Sequence, residues 1–166
     1  MTATQLDSME VTVPSALVAQ LERSTSDPAT IAATMGEAFE TLYAAVQRNG
    51  LQAVGPPRAI YTTWSPDEVR FTVAVPIERA PPAPLDTQDV TVEALPERTA
   101  LRFVHHGPYR ELRSTYGKIE GWLRERGGIK EAADWAKYAP MWEEYMNDPQ
   151  TTPESELVTR IYLALR

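Results

Sequence analysis

The stretch Leu112–Gly128, LRSTYGKIEGWLRERGG, and the earlier stretch Ile31–Gly50, IAATMGEAFETLYAAVQRNG, carry the same pattern and decide the fold. In the second, Ile31, Met35, Ala38 and Leu42 recur at intervals of four, three and four; in the first, Leu112, Tyr116, Ile119 and Leu123 do the same. That spacing puts four apolar side chains on one face of a helix. The stripes superimpose at a constant offset of 81 residues, which also brings Gly36 onto Gly117. Asp27 and Pro28 suit the N-cap and first position of the earlier helix, and both helices run into glycine, in QRNG and RERGG.

The repeat extends to either side. VTVPSALVAQLER precedes one helix and VTVEALPERTALRFVHH the other, each with a proline close to an alternating stretch. Leu17, Ala19 and Leu21 alternate as Leu101, Phe103 and His105 do, so both read as strands with one face turned inward, His105 matching Leu21. Two more strands follow each helix, PPRAIYTTW and VRFTVAVPI in one half, PMWEEYMND and LVTRIYLAL in the other. The reading is therefore α+β: two strand-helix-strand-strand units with two long helices and antiparallel sheet, packed about a pseudo-twofold axis. One such unit buries too little apolar surface to stand alone, so residues 1–166 are expected to form a single domain with a groove between its halves. The halves span about 9–78 and 89–166, joined by the proline-rich connector of about 79–88.

Composition narrows the chemistry. The 166 residues include no cysteine and only two histidines, which removes thiolate metal sites and leaves little for imidazole ligation; no metal and no cofactor are expected. A formal charge of -7 argues against binding a phosphate backbone. No signal-like segment opens the sequence and no apolar run is long enough for a bilayer, so a cytoplasmic protein without membrane contact is expected. Gly-x-Ser-x-Gly elbows and glycine-rich phosphate loops are missing. His105 and His106 fall at a strand end before Gly107 and Pro108, a structural position, and neither is assigned as ligand or base.

The segment MWEEYMNDPQTTPESELVTRIYLAL carries the most information about function. On a strand, Met141, Glu143 and Tyr145 share one face while Trp142, Glu144 and Met146 share the other. An edge strand with both glutamates solvated would account for the pattern. Alternatively, one glutamate stands among aromatic rings, where desolvation disfavours its charge and a cationic ligand restores it. Glu143 and Tyr145 could also serve a hydrolase as general base and proton donor. Tyr61, Trp64, Tyr109, Tyr116, Trp122, Tyr145 and Tyr162 are candidate wall residues, of which Tyr116 and Trp122, on or beside the helix stripe, are better suited to packing.

Taken together, HHGPYRELRSTYGKIEGWLRERG and MWEEYMNDPQTTPESELVTRIYLAL resemble the gyrase-inhibitor-like small-molecule-binding domain, which is also the effector-binding module of multidrug-responsive transcription activators. The matching residues are His106, Gly107, Pro108 and Tyr109; Tyr116 and Trp122; Glu143 and Tyr145; Asn147, Asp148 and Pro149; and Thr159. GPPRAIYTTW and VAVPI resemble the corresponding signatures of the first half. The resemblance implies a groove that takes bulky, flat, hydrophobic or cationic compounds, with Glu143 as the central polar contact. Glu143 is chosen over Glu144 because it stands two residues before Tyr145; Glu144 occupies a position where the family usually has an apolar residue.

The length leaves no room for a helix-turn-helix before the first strand, so a stand-alone binding protein is expected. Two further readings stay open. Stand-alone relatives include hydrolases of cyclopropane-bearing DNA-alkylating compounds, and others act through a protein partner such as gyrase or a transcription regulator.

Overall fold

The computed structural model describes residues 6–65, 67–85 and 89–165. It divides into two compact units, residues 14–97 on the one hand and residues 1–13 with 98–166 on the other. The last residues of the connector, 86–88, lie outside the described residues.

The unit of residues 14–97 contains β2 (Ala16–Thr25), α1 (Ile31–Arg48), β3 (Arg58–Trp64), β4 (Val69–Pro76) and β5 (Val90–Leu95). Its strands pair antiparallel in the order β3-β4-β2-β5. A 3₁₀ turn over Pro28–Thr30 leads into α1, and the Asp27 side chain accepts from the Ala29 N–H at 3.0 Å; the cap expected for the long helix thus serves this turn, and α1 itself starts after Thr30 without a side-chain cap. Ala38, Leu42, Ala45 and Val46 of α1 pack on Leu21, Phe71, Val73 and Val75 of the sheet. Each fully buried aliphatic side chain in this layer contributes about 1.5–3 kcal/mol of transfer free energy.

The second unit contains β1 (Ser8–Val13), β6 (Arg98–His106), α2 (Leu112–Glu125), β7 (Met141–Tyr145) and β8 (Val158–Ala164). Here the antiparallel order is β1-β6-β8-β7. Ile119 and Leu123 of α2 pack on Phe103, Ile161 and Leu163. The fold is thus α+β, with four antiparallel strands and one long helix in each unit, as the repeat predicts.

The units differ from the sequence halves at their leading strands. β1 lies before Pro14 in the chain yet pairs with β6, and β5 lies before Pro96 yet pairs with β2. Each half therefore lends its opening strand to the other half's sheet. Proline cannot donate a ladder hydrogen bond and fixes its own φ, so the long alternating stretch breaks at Pro14 and Pro96 into two strands.

The hydrogen bonds also correct the internal alignment. Ile77 N–H donates to the Leu17 carbonyl and Leu165 N–H donates to the Thr99 carbonyl, both at 2.9 Å. This equivalence sets β6 82 residues after β2, as do the starts of the two strands at Ala16 and Arg98. Phe103, not His105, then takes the place of Leu21, and His105 takes that of Arg23. Spacing alone misplaced the match because a two-residue shift along a strand leaves the inward face unchanged.

Both helices close alike. Gly50 and Gly127 have φ of 68° and 74°, and the next residues, Leu51 and Gly128, donate N–H to the carbonyls of Val46 and Leu123. These are glycine C-termini of the Schellman type, in which a left-handed residue allows the last carbonyls to be satisfied. α1 has 18 residues and α2 has 14, so the second helix is one turn shorter.

Candidate functional site

β7 brings the chemistry together because neither of its carboxylates is solvated: Glu143 is 4% and Glu144 9% exposed. That removes the reading of a solvated edge strand. The faces alternate as predicted. Glu143 pairs in register with Ile161, which pairs with Phe103, so Glu143 stands on the face that α2 covers. Glu144 pairs with Arg160 on the opposite face.

On the α2 face, both Glu143 oxygens accept phenol hydrogens. Tyr116 Oη, one turn into α2, donates to Oε2 at 2.6 Å, and Tyr145 Oη, two residues along β7, donates to Oε1 at 2.6 Å. Hydrogen bonds to a carboxylate at this distance are charge-assisted and among the stronger kinds in proteins. Tyr109 packs edge-to-face on Tyr145 with ring centroids 5.5 Å apart. Its phenol is pushed above the usual tyrosine value, by burial first and then by the negative charges of Asp148 and Glu143. Glu143, Tyr145, Tyr116 and Tyr109, singled out in the sequence, thus come together in one cluster.

Tyr116 reaches Glu143 because the first turn of α2 is pinned. His105 is 4% exposed, with Nδ1 2.6 Å from Thr115 Oγ1 and Nε2 2.9 Å from the Pro108 carbonyl. A carbonyl only accepts, so Nε2 carries a hydrogen and donates to Pro108. Gly107, at φ 116°, turns the chain between strand and helix, and its N–H donates to the Leu157 carbonyl. His105 thus ties β6, the Gly-Pro turn and α2 together, the structural role predicted for it. Thr159 lies in the same register row, between His105 and Tyr145, and its buried hydroxyl has no hydrogen-bond partner among the described residues.

Tyr162 stands elsewhere than expected. It pairs with Trp142, and the two rings stack at 4.8 Å with 8° between their planes, on the face away from Glu143. Its hydroxyl donates to Glu144 Oε1 at 3.0 Å, and its phenol is raised by burial first and then by Glu144. Tyr162 is therefore the partner of Glu144 and not a wall beside Glu143. Antiparallel pairing sets position 162 opposite position 142, a parity that alternation within β8 alone does not reveal.

Tyr61 and Trp64 belong to the other unit, where their rings meet edge-on at 5.4 Å. Tyr61 packs against that unit's core, while Trp64 is 65% exposed. Trp122 packs edge-on against Phe103 at 5.4 Å, as the helix stripe predicts. Among the described residues no group of three acidic or histidine side chains is placed to hold a metal, and no helix is long and apolar enough to cross a membrane.

The fold and the Glu143 cluster define an α+β domain with a buried acid among phenols. The sequence model of the GyrI-like small-molecule-binding domain matches residues 7–166, and the chain belongs to this family. Solved structures agree in fold. The C-terminal domain of EcmrR superposes with a TM-score of 0.75 at 14% identity, covering 97% of this chain and 98% of that one. SAV2435 bound to tetraphenylphosphonium gives 0.63 at 11% identity, with 96% and 94% covered. A chain described as a hydrolase from Listeria innocua gives 0.61 at 15% identity, with 97% and 92% covered. No curated protein matches.

Proposed function

We propose that this protein captures bulky aromatic compounds, lipophilic cations foremost, at the Glu143 cluster. The observation that carries the reading is a carboxylate 4% exposed whose two oxygens are held by Tyr116 and Tyr145. A carboxylate buried among rings loses hydration that a bound cation replaces, and the rings add cation–π attraction. The tetraphenylphosphonium complex of SAV2435, a structure of the same fold, supports the choice of ligand class.

A thermal-shift screen of planar dyes and quaternary and phosphonium cations tests the reading. A ligand at a hundredfold excess over its Kd stabilises the fold by about 2.7 kcal/mol. If the melting temperature moves with none of these compounds, the reading fails.

Hydrolysis is the second reading, favoured by the direct contact between a carboxylate and two proton donors and by the hydrolase of similar fold. Glu143 would take a proton from water while Tyr116 or Tyr145 protonates the leaving group. In the present arrangement each oxygen of the base already accepts a phenol, and hydrogen bonds to the charged form lower its basicity. That favours binding as the first reading. Incubation with a strained-ring electrophile, followed by mass spectrometry for a gain of one water, separates the two; absence of turnover at stoichiometric enzyme removes the second.

A further inference from the structure

On the sheet face turned away from α2, the second unit carries a contact of a different chemistry. Arg102 of β6 pairs with Tyr162 of β8 on one side and with Met9 of β1 on the other. Directly paired residues share a face, so Met9 and Arg102 stand with Tyr162, away from Glu143. β1 is the outer strand of this unit's order, and Met9 is 54% exposed, whereas Met35, Met141 and Met146 are half-buried.

The Met9 sulfur is held against a guanidinium. Arg102 Nη2 donates to Met9 Sδ at 3.8 Å, and Arg102 Nε is buried with no hydrogen-bond partner among the described residues. A thioether is a weak acceptor, so this fork of five donors is answered far below its capacity. An oxygen added to the sulfur on the Arg102 side lies nearer to Nη2 than the sulfur does, and it accepts more strongly.

We infer that Met9 is a site of oxidation by hydroperoxides, at which Arg102 directs the oxygen to one sulfur lone pair and then holds it. A lone pair of Met9 Sδ attacks one oxygen of hydrogen peroxide; the S–O bond forms as the O–O bond breaks, and the distal oxygen departs as hydroxide. The transferred oxygen gives up its proton, which combines with the hydroxide to make water. Sulfur is thereby oxidised by two electrons and the peroxide reduced. Arg102 favours approach from its own side because its N–H groups stabilise the departing negative oxygen. The product is chiral at sulfur, and in the favoured epimer the new oxygen accepts from Arg102. That bond ties β1 to β6 more firmly than the thioether does, and reduction of the sulfoxide releases it.

The test treats the intact protein with hydrogen peroxide and follows each methionine by peptide mass spectrometry, with fragmentation to separate Met9 from Met1. Met9 is expected to oxidise ahead of Met35, Met141 and Met146. Its two sulfoxide epimers, told apart by the two epimer-specific methionine sulfoxide reductases, should form in a ratio of about threefold or more. In Arg102→Leu Met9 still oxidises first but the ratio falls to near one, whereas Arg102→Lys, which keeps a cationic donor, retains the direction of the bias. Hydrogen exchange of the β1 amides should be slower by about threefold in the Met9 sulfoxide than in the unmodified protein. Equal epimers in the wild type overturn the inference, since exposure alone then accounts for the reaction. So does a bias that persists unchanged in Arg102→Leu, or oxidation of a half-buried methionine ahead of Met9. Should Arg102→Leu fail to fold, the wild-type epimer ratio and the β1 exchange rates decide the matter without it.

Discussion

The two units are built on one plan, yet among the described residues buried carboxylates occur in only one of them. With β6 set 82 residues after β2, the row Leu21, Val73, Ala59 of one unit corresponds to Phe103, Ile161, Glu143 of the other. The next row, Arg23, Phe71, Tyr61, corresponds to His105, Thr159, Tyr145, and on the helices Met35 corresponds to Tyr116. Leu21, Val73, Phe103 and Ile161 are fully or almost fully buried, and these shared apolar positions build both sheets. The unshared positions are those around the acid: Ala59 and Phe71 in one unit, each 0% exposed, become Glu143 and Thr159 in the other. Folding a unit of this kind does not require a carboxylate there, since the copy with Ala59 folds to the same plan. The polar set around Glu143 is therefore not needed for the plan of the fold.

Exchanging the residues at the equivalent positions should produce the largest effect. Ala59→Glu puts a charge where Met35 stands in place of Tyr116, and an uncompensated buried charge costs about 3–5 kcal/mol. Glu143→Ala removes a charge and leaves two phenols to find other partners, which costs about 1–3 kcal/mol. Denaturant melts of the two variants would measure the asymmetry; equal losses would show that the two positions are not environments of different kinds.

A smaller and symmetric effect is expected where the units agree. Gly50→Ala and Gly127→Ala each force a side chain into the left-handed region and should cost about 1 kcal/mol, alike in both units. A Cβ at either position meets nothing within 4 Å, so the cost is one of conformation and not of crowding.

The smallest expected effect depends on pH and belongs to the acid-bearing unit. Tyr109 and Tyr162 both have phenol pKa values raised by burial first and by neighbouring carboxylates second. The native state holds these protons more tightly than the unfolded chain does. Their stabilising contribution is complete below the ordinary tyrosine value of about 10 and is lost as pH rises through the higher folded values. The denaturation midpoint should fall above about pH 10, and less steeply in Tyr109→Phe or Tyr162→Phe. A slope unchanged in both variants would contradict the assignment.

Much of this was legible from residue patterns. The stripes on α1 and α2, the glycine helix ends and the alternation along β7 are local, and local periodicity reports them. Glu143 with Tyr145 was legible too, because residues two apart on a strand share a face. Tyr116 needed the family resemblance as well, since nothing in a helix stripe distinguishes a packing tyrosine from one that donates to an acid on a strand. What escaped was pairing. Which sheet β1 and β5 join, whether Leu21 corresponds to His105 or Phe103, and which face Tyr162 shares with β7 all depend on strand register, which a single strand does not encode.

The most direct test of the central claim, that the acid-bearing unit is a cation-binding site, is a calorimetric titration of tetraphenylphosphonium into the wild-type protein and into Glu143→Gln. Glutamine keeps the size of the side chain and removes its charge. The account predicts saturable binding to the wild type and a loss of at least about tenfold in affinity in the variant, the change that about 1.4 kcal/mol produces. Equal affinity in both would contradict it.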